Sequence, residues 1–273
     1  MLAPGLGWLA LLLVVPCGLI FVDSFFERGT YGGIDYVFTL ENYRRAIDPL
    51  YLRIFLDSAR IALTATIIAL LLGYPAAYLI ALQPKSRQMP LLILVMLPFW
   101  SNYLIRTYAW MVLLNREGLI NRALGGLGLI DAPLPLLYND FAVITGLVYG
   151  YVPFMILALY SSISKLGPDL REASTDLGAG ALRTFLRITL PLTLPGIAAG
   201  CIFVFVLSIG NFVTPDLLGG KQRAMVGNLI YSQFLTARDW PFGAAIAFIL
   251  IAIMMLLLAG QAWLINRDRP AAS

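Results

Sequence analysis

The sequence contains no histidine, and only 12% of its 273 residues are charged. Without histidine, this chain cannot hold a His-dependent catalytic triad, an HExxH zinc site or a histidine proton relay. Soluble domains carry about a quarter charged residues, so this composition argues against a large soluble core. The hydrophobic fraction of 60% instead indicates a polytopic, all-α membrane protein.

Cysteine and nucleotide-binding motifs are also scarce. The two cysteines, Cys17 and Cys201, both lie in apolar runs, which predicts small core residues rather than a disulfide or a metal pair. The nearest P-loop candidate, 219-GGKQ-222, lacks the upstream glycine and the following Ser or Thr. The basic residues are scattered, which does not indicate nucleic-acid binding. We therefore expect no cofactor and no metal in this chain.

Six charge-poor runs are long enough to cross a bilayer, which requires about 20 apolar residues. The sixth has no charge between Asp239 and Arg267, whereas the third contains Arg106. We expect one membrane domain over residues 1–273. The predicted spans are residues 6–26, 55–82, 89–114, 141–163, 192–213 and 242–265.

Lysine and arginine predict the orientation of these spans. Segments 83–88, 164–187 and the C-terminal tail carry basic residues at the higher density, although the totals on the two sides are nearly equal. We predict that these segments and both termini are cytoplasmic. The first run has no basic segment before it, so we expect a membrane helix rather than a cleavable signal. Whether the natural chain begins before Met1 stays open.

The longest of these segments, 164–191, has the pattern of a short amphipathic helix. Pro168 suits its first position, and Gly178 and Gly180 suit its end. A second short helix is predicted at 181–188, and the prolines that follow are expected to break the path into the fifth span. The expected apolar face is formed by Leu170, Ala173 and Leu177. It could dock on a partner protein, lie on the bilayer or pack on the spans.

The spacing within this loop resembles a known motif. Glu172-Ala173-Ser174, three residues, Gly178, nine residues, Ile188, one residue and Leu190-Pro191 resemble the EAA loop of ABC importer permeases. Ser174 departs from the pattern, where the family has a second alanine. The resemblance implies a type I ABC importer permease with six transmembrane helices in the bacterial inner membrane. It also implies that the loop is a coupling helix on a cytoplasmic ATPase.

The resemblance assigns roles within the loop. Three residues, Ala173, Ser174 and Leu177, would face the ATPase, and Gly178 would supply the turn. Glu172 would pair with a basic group of the ATPase or with a nearby arginine, Arg183 or Arg187. The coupling residues implied are Glu172, Ala173, Ser174, Leu177, Gly178, Ile188, Leu190 and Pro191.

Further stretches resemble the first permease of spermidine/putrescine-type importers. The resemblance implies polyamine substrates, a second homologous permease, two copies of an ATPase that binds ATP and Mg, and an external substrate-binding protein. The stretches are 39-TLENY-43, 48-DPLY-51, 97-LPFWSNYLIRTYAW-110, 146-GLVYGYVPFMIL-157, 215-PDLLGG-220 and 239-DWPFGAA-245.

Polyamines are multivalent cations, so their pathway requires acids and aromatic faces. Pro98 loosens the third span, and the Ser-Asn pair after Trp100 suits a wet pathway. Arg106 opposes a cation unless loop carbonyls or an acid such as Asp216 bind it. The aromatic residues could instead lie at the membrane–water interface, and the Asp239-Trp240 pair could cap the sixth span. The candidate pathway residues are Trp100, Asn102, Tyr103, Tyr149, Tyr151, Asn211, Asp216, Asp239 and Trp240.

Other assignments remain open at this stage. We expect Asp57 and Arg60, at i and i+3, to pair with each other. A permease of the same fold could carry another small amine, an amino acid or an opine. A secondary transporter would favour paired acids within the spans. An intramembrane enzyme lacks a plausible set of catalytic or metal-binding residues.

Overall fold

The computed structural model describes residues 3–167, 169–220 and 224–267. Helix α1 is followed by a small antiparallel hairpin, and helices make up most of the remainder. The first elements are α1 (Ala3–Asp23), β1 (Phe26–Arg28), β2 (Ile34–Phe38), α2 (Glu41–Ala46), α3 (Pro49–Ala81), α4 (Lys85–Met96), a 3₁₀ turn (Leu97–Trp100), α5 (Tyr103–Leu114) and α6 (Leu119–Gly126).

The second half of the chain continues in the same way. It contains α7 (Asp140–Ile163), α8 (Asp169–Asp176), α9 (Ala181–Thr184), a π turn (Phe185–Thr189), α10 (Leu190–Ile209), α11 (Val213–Leu218), α12 (Val226–Leu235) and α13 (Trp240–Arg267). The chain divides into two compact units: Met1–Ser58 with Ala224–Leu256, and Ala59–Arg223 with Leu257–Ser273. We call them the first and the second unit.

Several helices are long and apolar enough to cross a membrane. Among the described residues there are four: Pro49–Ala81, Asp140–Ile163, Ala181–Ile209 and Trp240–Ala262. A bent pair, Lys85–Trp100 and Tyr103–Gly126, would make five if it counts as one span, and Ala10–Asp23 is a shorter apolar helix. A helical membrane protein is thus confirmed, whereas six spans remain a prediction.

The third predicted span, 89–114, is not one helix, so that prediction is corrected. Its two halves meet at 82°. Asn102 starts the second half, because its Oδ1 accepts hydrogen bonds from the backbone N–H groups of Leu104 (2.8 Å) and Ile105 (3.4 Å). Pro98 lies in the 3₁₀ turn before the break. A proline and a strong N-cap together divide the span.

The fifth span is continuous where the prolines were expected to break it. Ala181–Ile209 runs as one helix, with a π turn at Phe185–Thr189 immediately before Pro191. Pro191 occupies the first turn of α10, and Pro195 is accommodated within that helix. The wider turn before the first proline lets the chain remain helical, which corrects the prediction.

The first unit has a small apolar core around Phe242 and Ile246, packed by Val226 and Leu229. Ser58 ties α12 to α3, because its Oγ accepts a hydrogen bond from the Val226 N–H at 2.9 Å. The hairpin is tied to the loop before α13, since Arg28 donates to the Ala237 carbonyl at 2.6 Å. These two hydrogen bonds hold α12 and the loop that leads into α13.

An ion pair between a half-exposed arginine and a buried aspartate lies at the start of α13. Asp239, 2% exposed, bonds Arg45 at 2.8 Å and also accepts a hydrogen bond from the Phe242 N–H. The Arg45 guanidinium lies 3.9 Å from the centre of the Phe242 ring. Burial by itself lowers the pKa of Arg45, but hydrogen bonds to Tyr51 and Asp239 outweigh it and raise the pKa. Arg45 therefore stays charged.

The second unit is built on close packing of α7 against α10. A Cβ added at Gly200 would lie 2.8 Å from Met155 Sδ, and one at Gly196 would overlap Ser162. These glycines let the two backbones approach closely. Tyr74 joins α3 to α10 through a 2.8 Å hydrogen bond with Thr193.

Two further expectations are corrected. Arg60 does not pair with Asp57 but with Asp140, at 2.8 Å, at the start of α7. Cys17 is exposed rather than a core residue, whereas Cys201 is partly buried. Tertiary packing places Asp140 beside Arg60, and the spacing of charged residues along one helix cannot predict a contact between two helices.

We predict that Asp239→Ala lowers the stability of the solubilised protein by about 1–2 kcal/mol, because it removes the cap of α13 and the ion pair with the half-exposed Arg45. Thermal unfolding in detergent measures this. Asp131→Ala, at an exposed loop position, is the matched control and should shift unfolding little. Equal shifts for the two variants would contradict the structural role of Asp239.

Candidate functional site

The loop between α7 and α10 folds as two short helices joined by a tight turn. Gly178 adopts φ 74°, a left-handed conformation that disfavours other residues. The turn is closed by hydrogen bonds from Leu177 N–H to the Ala173 carbonyl (3.2 Å) and from Ala179 N–H to the Ser174 carbonyl (3.0 Å). The predicted helix and its glycine stop are confirmed, while Pro168 lies outside the described residues.

The predicted apolar face of this helix is exposed. Leu177 is 88% exposed, and Leu170 and Ala173 are exposed as well. Leu182 and Leu186, on the helix that follows, are also exposed. The loop therefore presents exposed leucines, of which Leu177 and Leu182 are the most exposed, at 88% and 72%.

Ser174 corrects one of the expected contacts. It is 4% exposed, and its hydroxyl forms a 2.6 Å hydrogen bond with the hydroxyl of Thr184. Ser174 thus faces α9 and ties the two short helices together, rather than facing outward. An alanine here could not form this bond. The side chain of Glu172 is not among the described ones, so its pairing stays a prediction.

The other coupling residues lie where the loop meets the longer helices. Ile188 lines a cavity of about 310 Å³ together with Leu170 and Gln88. Leu190 packs against the core of the second unit, and Pro191 is exposed at the start of α10. The arrangement connects the exposed turn to the continuous helix Ala181–Ile209.

A second cavity, of about 590 Å³, lies in the same unit beside the break in the third predicted span. Its walls come from the broken span, from α7 and from the end of α10 with the start of α11. Its lining contains no acidic residue. The polar side chains that line it are Ser101, Tyr103, Arg106, Tyr151 and Asn211.

Asn211 holds the polar side of this cavity together. Its Nδ2 donates to the hydroxyls of Tyr103 and Tyr151, both at 2.6 Å. Its Oδ1 accepts from the Thr214 N–H at 2.9 Å, and the Tyr103 hydroxyl also bonds the Thr214 hydroxyl. One side chain thereby joins α5, α7 and the start of α11.

Arg106 is 8% exposed and lies in the aromatic wall. Its Nη1 donates to the Pro98 carbonyl at 3.1 Å. The guanidinium carbon lies 5.4 Å from the ring centres of Phe99 and Tyr103 and 5.8 Å from that of Tyr149. Of the two partners considered for Arg106, the loop carbonyl is the one observed, and among the described side chains no carboxylate forms an ion pair with it.

The structure brings together part of the predicted pathway set. Tyr103, Tyr151 and Asn211 share the cavity, and Tyr149 lies beside Arg106. Trp100 is 76% exposed and does not line the cavity.

The remaining candidates lie elsewhere. Asn102 caps α5, and Asp216 is exposed on α11. Asp239 and Trp240 belong to the first unit, where Asp239 caps α13 and the Trp240 indole donates to the Phe234 carbonyl at 3.1 Å. The capping alternative for this pair is confirmed.

The sequence reasoning missed Phe154, which lines the cavity, and Thr214, which belongs to the hydrogen-bond network beside it. Phe154 lies three residues after Tyr151 on one face of α7, and its ring centre is 4.7 Å from that of Phe99. The helical spacing could have identified it. Thr214 carries no comparable signal, because only the folded structure places its hydroxyl beside Tyr103.

We predict a graded loss of stability around Asn211. Tyr151→Phe removes one hydrogen bond to it, whereas Tyr103→Phe removes bonds to both Asn211 and Thr214. Asn211→Leu removes the bonds to Tyr103, Tyr151 and the Thr214 N–H and should cost the most, about 2–3 kcal/mol. Thermal unfolding of the three variants measures the order. A reversed or flat order would show that this network does not hold the cavity.

Comparison with known proteins finds a matching family and similar permease proteins. Residues 73–269 match the family described as "Binding-protein-dependent transport system inner membrane component". The chain is 46% identical over 252 residues, 92% of each chain, to the spermidine/putrescine transport system permease protein PotB of Escherichia coli (strain K12). It is 44% identical over 253 residues to PotB of Haemophilus influenzae, covering 92% of this chain and 88% of that one.

A solved structure shows the same fold. It is the crystal structure of a bacterial ABC transporter involved in the import of the acidic polysaccharide alginate. A chain of that transporter aligns with a TM-score of 0.71 and 18% identity, over 99% of this chain and 95% of that one.

Proposed function

The chain belongs to the family of binding-protein-dependent transport system inner membrane components, and from this we propose that it is the permease subunit of an ATP-driven importer for polyamines such as spermidine and putrescine. The observation that carries the substrate class is the 46% identity with a spermidine/putrescine permease across 92% of both chains. A subunit of this kind moves solute and is not itself an enzyme.

The proposed assembly contains a second homologous permease, two copies of a cytoplasmic ATPase and a substrate-binding protein outside the bacterial inner membrane. ATP and Mg would bind to the ATPase subunits. In this arrangement one permease domain, residues 1–273, crosses the bilayer six times, with α1 as the first span and the bent pair as the third. Both termini and loop 164–191 then lie in the cytoplasm.

The structure supports a specific route for coupling. The exposed turn around Leu177 would bind the ATPase, in accord with its exposed leucines. The Ser174–Thr184 hydrogen bond ties that turn to α9. From α9 the helix continues without interruption to Ile209, packed on α7 through Gly196 and Gly200. A displacement of the turn would therefore move a whole membrane helix rather than a loose loop.

A second candidate function also has an observation in its favour. Arg106 places a positive charge in the cavity, which would suit a substrate with a carboxylate, such as an amino acid or an opine. The two candidates differ in the sign of charge that the pathway must accept.

The substrate is tested by uptake. We expect proteoliposomes that hold the complete complex and its external binding protein to accumulate labelled spermidine or putrescine when ATP is supplied inside. Labelled arginine and octopine are the competing substrates. Uptake of one of these with no polyamine uptake would overturn the proposal, and uptake without ATP would indicate a secondary transporter.

Coupling is tested at Gly178. A residue with a Cβ is strained at φ 74°, by about 1–2 kcal/mol, although nothing lies within 4 Å of the added atom. We therefore expect Gly178→Ala to reduce polyamine uptake severalfold, and Gly178→Asn, which tolerates this conformation, to restore part of it.

Gly180→Ala is the matched control for that experiment. Gly180 also has open space around it, but its φ is −70°, which any residue adopts. Its uptake should match that of the unaltered protein. If Gly178→Ala is expressed normally and transports normally, the turn has no role in coupling.

A further inference from the structure

The cavity beside the break in the third predicted span contains a buried cation, which conflicts with the positive charge of a polyamine substrate. The cavity lining contains Arg106 and no acid. The guanidinium is held by one carbonyl and three rings. An ammonium group entering this cavity would therefore meet a fixed positive charge.

Two of the aromatic residues that line the cavity, Phe99 and Tyr103, are already engaged by Arg106. Cation–π attraction operates within about 6 Å of a ring centre. The guanidinium of Arg106 lies within that distance of Phe99, Tyr103 and Tyr149. A substrate ammonium must compete with Arg106 for these faces while being repelled by its charge.

We propose that Arg106 is a specificity-determining residue: its positive charge, together with its occupation of the Phe99 and Tyr103 faces, prevents a polyamine from being held in this cavity. Substrate then passes Arg106 without binding stably in this cavity, and tight binding of the substrate has to occur elsewhere in the assembly. This inference rests on the proposed function, because it concerns how a multivalent cation passes the cavity.

Removing the charge should turn the cavity into a binding site. Arg106→Gln keeps a polar side chain with N–H donors, but it frees the rings and abolishes the repulsion. In the assembled complex, without nucleotide or external binding protein, we expect the affinity for labelled spermidine to rise at least about tenfold. The maximal rate of uptake should fall, because a bound substrate leaves slowly.

Two controls separate charge from structure. Arg106→Lys keeps the charge and loses the planar guanidinium, so its spermidine binding should stay as weak as that of the unaltered complex. Arg122→Gln removes the same charge from an exposed position on α6 and should change nothing. If Arg106→Lys binds spermidine as Arg106→Gln does, or if neither binds more tightly, the inference is overturned.

A second pair of variants leaves Arg106 in place. Val213 lines the cavity in the first turn of α11. Val213→Glu adds a carboxylate that offsets the charge of Arg106, and we expect tighter spermidine binding, whereas Val213→Gln adds similar bulk without charge and should not bind more tightly. Equal binding by the two would also overturn the inference.

Uptake by the unaltered complex decides the proposed function, and the differences in spermidine binding among the variants decide this inference. Each can therefore fail separately.

Discussion

Where an apolar helix is broken, backbone N–H and C=O groups lose their helical hydrogen bonds. They need other partners within the protein, because lipid offers none. At the third predicted span this is done locally. The Pro98 carbonyl accepts from the Ser101 hydroxyl at 2.7 Å and from Arg106 at 3.1 Å. Asn102 caps the helix that follows. The cavity depends on this break, since the break places Phe99 and Ser101 in its wall.

The same requirement explains why an arginine is tolerated here. A buried charge is costly unless its donors are bonded and its surroundings are polarisable. The Pro98 carbonyl and the ring faces of Phe99, Tyr103 and Tyr149 supply both. A lysine could bond the carbonyl, but it lacks the planar group that stacks on rings. These contacts allow the fold to hold a positive charge in this cavity.

Sequence reasoning succeeded where the signal is local. Apolar runs indicated the helices, and the glycine after Leu177 indicated the turn, because each depends only on neighbouring residues. It failed where distant segments meet. Arg60 pairs with a residue 80 positions away. Ser174 turns inward because a hydroxyl ten residues later is available to it. The resemblance to a family supplied the substrate class, which no pattern of charge or hydropathy contains.

The pathway candidates illustrate a more general limit. Aromatic and acidic residues were selected because a polyamine needs them, yet the acids chosen do not line the cavity. Asp216 is exposed on α11, and Asp239 is bonded to Arg45. Of the candidate set, the cavity contains Tyr103, Tyr151 and Asn211, and its lining also includes the positively charged Arg106. If the substrate is a polyamine, the attractive groups that this cavity offers it are uncharged ones. Any carboxylates that attract it must come from residues outside this cavity or from the partner subunits.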